Sequence, residues 1–117
     1  MKIAIIGSRT IKINFDIIKK YLPENITCII SGGAKGVDSV ASAYAKNNNI
    51  KLIEFLPNYK KYGRKAPLVR NTEIIKNSDF VLAFWDNKSR GTLDSINKAK
   101  KMNKPYKIVS IPTTNKS

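Results

Sequence analysis

The chain has 117 residues, with 22 basic against 8 acidic side chains, no histidine and one cysteine. That length makes one domain able to bury roughly two thirds of its unfolded surface; the missing histidine and lone Cys28 exclude His-based nucleophile pairs, an internal disulfide and a thiolate metal cluster. The formal charge of +14 admits two readings: a surface that releases counterions from nucleic acid, or solvated lysines (18 of the 22) of the kind A+T-rich codons supply.

Residues 2–6 (KIAII) form a short apolar run ending at Gly7, the pattern of a strand buried on both faces. Asn14 is placed to cap a helix that carries Ile17, Ile18, Tyr21 and Leu22 on one side and stops at Pro23. A second buried strand, ITCII, covers 26–30. From Val37 the positions Val40, Ala41, Tyr44 and Ala45 follow helical spacing as far as the asparagines at 47–49. KLIEFL, 51–56, is a third strand closed by Pro57. NYKKYGRKA, 58–66, reads as a basic, aromatic loop, and Pro67 opens a helix running to about Asn77 with Ile74 and Ile75 inward. FVLAF, 80–84, is the fourth strand. The polar loop WDNKSRG leads to a helix from Thr92 to Met102, and YKIVSI, 106–111, is the last strand, before a tail, 112–117, expected to fray.

Strands alternating with helices predict an α/β fold, a parallel sheet covered on both faces, over residues 1–111. No apolar run is long enough for a signal peptide or a membrane span, so a cytoplasmic protein with no membrane partner is expected.

Ligands of open parallel sheets bind beyond the carboxyl ends of the strands, where strand order reverses. The loops on that rim are 7–10, 31–38, 57–70 and 85–92, and Arg9, Arg64, Arg70 and Arg90 lie in them or at their edge. Planar guanidinium forks suit phosphate and carboxylate. In SGGAKGVD, 31–38, Ser31, Gly32, Gly33, Lys35, Gly36 and Asp38 have two readings. The bare backbone brings amides to a phosphate at a helix start, or it simply makes a tight turn whose Asp38 steadies the first helical turn. Gly7-Ser8-Arg9 repeats the logic in shorter form. Ser89-Arg90-Gly91-Thr92 offers another nest, with Thr92 as a candidate cap, and Trp85 either stacks on a base or packs. Arg70 and Asn71, early in the third helix, face the same point, with Glu73 as a nearby partner for Arg70.

GSR after strand one, SGGAKGVD after strand two, APLVRN opening the third helix and RGT before the last helix together resemble the YspA-like branch of the SLOG superfamily over about 1–111. The resemblance implies a Rossmann-like sheet in the order 3-2-1-4-5, a homodimer, and binding of nucleotides or nucleotide-derived molecules. Some members sense NAD-derived signals in antiphage systems. The chain is also similar to lonely-guy phosphoribohydrolases, whose arginine corresponds to Arg70 but whose glutamate is here Ser95, leaving Glu73 or Asp94 to supply a carboxylate if the chain were an enzyme. A third likeness, to the DNA-processing protein A family through SGGAKGVD, implies single-stranded DNA. The leading expectation is binding of a phosphate-bearing nucleotide derivative, an ADP-ribose-like signal in a defence context, with no cofactor and no metal. Hydrolysis of an N-glycosidic bond ranks second and nucleic acid third.

Overall fold

The computed structural model describes residues 1–111, so the expectation of a frayed tail at 112–117 lies outside the described residues. Strand β1 (Lys2–Gly7) is followed by α1 (Phe15–Tyr21), β2 (Cys28–Ser31), α2 (Val37–Asn47), β3 (Lys51–Glu54), the short α3 (Tyr59–Tyr62) with a 3-10 turn (Gly63–Lys65), α4 (Ala66–Lys76), β4 (Phe80–Trp85), α5 (Arg90–Lys101) and β5 (Tyr106–Ser110). All five strands are parallel in one sheet, ordered β3-β2-β1-β4-β5. The expected topology is therefore present, and strand order reverses between β1 and β4, where Gly7 stands level with Phe84.

The uniform apolar runs follow from burial on both faces. In β1, Ile3 and Ile5 point to the layer holding α1 and α2 with Ile18, Val37 and Ala45, while Ala4 and Ile6 point to the layer holding α4 and α5 with Ile74, Ile75 and Ile96. A strand with two dry faces shows no polar alternation. The radius of gyration, 13.4 Å, is that of a single compact unit of this length, about 13 Å.

Local chemistry sets the helix ends. Asn14 accepts a hydrogen bond from the Ile17 amide at 3.0 Å and starts α1 as expected. Strand β2 is Cys28–Ser31 rather than 26–30, β3 stops at Glu54 rather than at 56, and two further differences have a visible cause. Residues 59–65, expected as loop, coil into α3 and its 3-10 turn because Asn58 caps the Lys61 amide at 3.1 Å. Helix α5 begins at Arg90, two residues early, because its cap is Ser89 rather than Thr92: the Ser89 hydroxyl accepts from the Thr92 amide at 3.4 Å.

Candidate functional site

At the reversal of strand order the carboxyl ends of β1, β2 and β4 open into a cleft of about 450 Å³, within the range of small-molecule sites. Gly7, Ser8 and Arg9 after β1, Asp38 at the start of α2, Arg70 and Asn71 in α4, and Ser89, Gly91 and Thr92 around the start of α5 all line it. These residues are remote in sequence, and the topology brings them together. Ser31, Gly32, Gly33, Lys35, Gly36, Trp85 and Arg90 are not on its wall, nor are Glu73 and Asp94.

The glycine turn serves the protein's own packing. A side chain at Gly36 would begin 2.6 Å from the Arg9 carbonyl oxygen, and its φ of +77° lies in the left-handed region that glycine tolerates best. A side chain at Gly32 would begin 2.7 Å from Arg70 Nη1 and 2.9 Å from Asp38 Oδ2. The tight-turn reading is thus the one with geometric support: bare backbone admits Arg9, Arg70 and Asp38 to one place. Asp38 itself takes the Ala34 amide at 3.2 Å.

Arg70 is half-buried and fixed. Its Nη1 donates to the Gly32 carbonyl at 2.6 Å and its Nε to Asn71 Oδ1 at 3.1 Å, while Asn71 Nδ2 donates in turn to Asp94 at 3.1 Å. Burial lowers the guanidinium's pKa; the neighbouring Asp38 and Tyr59 oppose that shift, and Arg9 adds to it. Arg9 and Arg70 are therefore close enough to repel, so an anion between them would relieve both. Burial likewise pushes the Asp38 carboxyl up, against the pull of the Ala34 amide and of Arg70.

Asp86, which sequence reasoning missed, joins the loops after β1 and β4. Its Oδ1 accepts the Ser89 amide at 2.7 Å and the Lys88 amide at 2.9 Å, and its Oδ2 accepts the Thr10 hydroxyl at 3.2 Å. The Ser89 and Lys88 amides hold its pKa below the ordinary carboxylate value, outweighing desolvation. The available signal was an aspartate directly after a buried strand, two and three residues ahead of the amides it caps. Ser8 completes the join: its hydroxyl, 1% exposed, receives the Asp86 amide at 3.3 Å and lies 3.5 Å from the Thr92 hydroxyl. Thr10, Lys88, Ala34, Pro67, Leu68 and Ile74 also line the cleft without having been singled out.

Two expectations meet other geometry. The Trp85 indole donates to the Ser89 carbonyl at 3.0 Å and packs against the α4/α5 layer, so it braces the loop from outside the cleft. Asp94 is committed to Lys98 at 2.7 Å and to Asn71, in the seam between α4 and α5.

The two glycine-bearing loops that build this cleft fall within residues 1–62, the stretch matched by the model of the YspA, cpYpsA-related SLOG family. The chain belongs to that SLOG family. No curated protein matches it. Among solved structures, the SLOG chain is similar to the X-ray structure of DNA processing protein A (DprA) from Streptococcus pneumoniae, with 20% identity and a TM-score of 0.72 over 97% of this chain and 50% of that one. The chain thus spans about half the length of that structure, and the likeness is one of fold. The family match ends at Tyr62, so Arg70, Asn71 and the 89–92 turn lie beyond it; the Arg70 bond to Gly32 ties them to the matched part.

Among the described residues no helix is long and apolar enough to cross a membrane, and no cluster of acidic or thiol side chains would hold a metal ion.

Proposed function

We propose that the cleft binds a phosphate-bearing, nucleotide-derived small molecule and releases it unchanged. The observation that carries this reading is the convergence of Arg9 and Arg70 on one pocket at the switch point, beside the buried hydroxyls of Ser8 and Thr92. Guanidinium groups donate without accepting, and the Ser8 and Thr92 hydroxyls each carry an O–H to offer, which suits phosphate oxygens. Ala34, Pro67, Leu68 and Ile74 add the apolar wall that a nucleoside needs. Within this class the family resemblance points to ADP-ribose-like signals of the kind sensed in antiphage systems, acting in the cytoplasm on a homodimer.

Binding is favoured over glycosidic hydrolysis by the placement of carboxylates. Ser95, 2% exposed on the cleft wall, offers only a hydroxyl where the hydrolases carry glutamate. Glu73 is off the wall and Asp94 is paired with Lys98. Of the cleft's own acids, Asp86 is saturated by two amides and Thr10. Glu73, Asp94 and Asp86 therefore offer no free carboxylate to an oxocarbenium-like centre, and the remaining cleft acid, Asp38, is bound by the Ala34 amide with its charge disfavoured by burial.

The test is to denature purified protein and identify released molecules by mass spectrometry, then to titrate nucleoside monophosphates, NAD and ADP-ribose by calorimetry. Arg70→Ala and Arg9→Ala are each expected to weaken binding about 10- to 100-fold, the worth of a charge-assisted hydrogen bond. Free base appearing on incubation, and lost in Arg70→Ala, would replace this reading with the enzymatic one.

A further inference from the structure

Among the described residues, the three most exposed large apolar side chains are Leu56 at 66%, Tyr59 at 58% and Leu68 at 47%, and each has a tie to the cleft. Leu68 lines it directly. Leu56 folds over the glycine turn, with its Cδ2 2.5 Å from where a Gly33 side chain would begin, next to the cleft residue Ala34. Tyr59 heads α3, which packs on α4 close to Arg70. Polarity therefore changes along the site. The inner end, at Ser8, Asp86 and Thr92, is buried and polar; the outer end is open and sets apolar side chains among cations.

We infer that this outer lip, Tyr59 with Leu68 and Leu56, is the seat of the ligand's aromatic base, so that the site selects nucleotides over base-free sugar phosphates. The inference rests on the cleft reading above and adds an orientation: phosphate inward, base outward. A clustered, exposed apolar patch marks a binding surface, and its shape decides the occupant. Side chains open to solvent by 47% to 66% form a shelf, which matches a flat ring stacked on one face; an acyl chain needs enclosure on several sides. A second copy of the chain is disfavoured there, because residues 55–72 carry five cations and no acid, and the same surface on another molecule would repel it. Base stacking on tyrosine tolerates any base, so purines and pyrimidines are both accepted.

Calorimetric titration of the whole chain with the four nucleoside 5′-monophosphates and with ribose 5-phosphate tests this directly. The monophosphates are expected to bind at least about 10-fold more tightly than ribose 5-phosphate, the lower range of one stacked base. Tyr59→Ala should erase most of that advantage while leaving ribose 5-phosphate affinity unchanged, and Tyr59→Phe should keep it. Tyr59 is exposed, and an unchanged melting temperature would show that the variants fold. Equal affinity for monophosphates and ribose 5-phosphate, or an equal loss of both in Tyr59→Ala, would overturn the base seat and leave the phosphate cleft standing. No binding of any phosphate compound would instead bring down the cleft reading and this inference with it.

Discussion

Asp38 and Asp86 share one cleft and are driven in opposite directions. Asp86 is held by two backbone amides and the Thr10 hydroxyl, so folding favours its charged form. Asp38 is sunk so deeply that burial outweighs the Ala34 and Gly32 amides and Arg70, so folding disfavours its charge. The linkage signs follow. The stabilisation from Asp86 is complete above the ordinary carboxylate pKa of 3.8 and disappears as pH falls through its lower folded value. Asp86→Ala, which strands the Lys88 and Ser89 amides, is expected to cost about 2 kcal/mol at pH 7, with the gap to wild type closing below about pH 4. Asp38 works the other way: its penalty is full at neutral pH and is relieved as pH falls through its raised folded value. Asp38→Asn keeps an acceptor for Ala34, so relative to wild type it should be at its most stable near pH 7 and lose ground on acidification. Urea midpoints for the three proteins between pH 3 and 7 measure both trends; parallel curves would contradict the opposed placement.

Of the helices around the cleft, α5 starts on a side-chain cap, whereas α2 and α4 start without one. Ser89 closes α5 by accepting from the Thr92 amide, while its own carbonyl takes the Trp85 indole. Ser89→Ala is therefore expected to cost about 1 kcal/mol in urea unfolding, and to loosen the turn that presents Thr92 to the cleft. Such devices also explain what the sequence made readable. The β strands and α2, α4 and α5 were legible because two apolar layers impose runs and helical spacing that nothing local opposes. Helix α3 was not, since it buries no residue and depends on Asn58 alone, leaving no apolar period to see. The start of α5 was misplaced because Ser89 and Thr92 are both good caps and only the backbone decides between them. At the site, arginines and glycines were legible by type, but partnership was not. That Gly32 exists to admit Arg70, or that Asp86 rather than Trp85 organises the fourth loop, is a fact about distances between residues far apart in the chain.

For the molecule as a whole, the charge of +14 must be reconciled with a cleft that uses few of those charges. Lys60, Lys61, Arg64 and Lys65 form an exposed cationic strip beside the mouth, interleaved with Tyr59 and Tyr62, and it will attract any polyanion. Attraction of that kind is sequence-independent and is driven by counterion release. If the strip neutralises four phosphates of a single strand, affinity for an oligothymidylate should fall about 50-fold between 50 and 200 mM salt. A mononucleotide seated against half-buried Arg70 is screened far less, and its affinity should change by no more than about 3-fold over the same range. Fluorescence anisotropy for the oligonucleotide and calorimetry for the mononucleotide, run in matched buffers, separate the two. Replacing Lys60 and Lys61 by Gln should flatten the oligonucleotide's salt dependence and leave the mononucleotide's alone. An oligonucleotide that stayed bound at 200 mM salt and was displaced by mononucleotide would mean that the strand enters the cleft itself, and a nucleic-acid role would then displace the small-molecule one. Steep salt loss without that competition marks the lysines as a solvated basic coat around a pocket whose selectivity comes from Arg9, Arg70 and the lip.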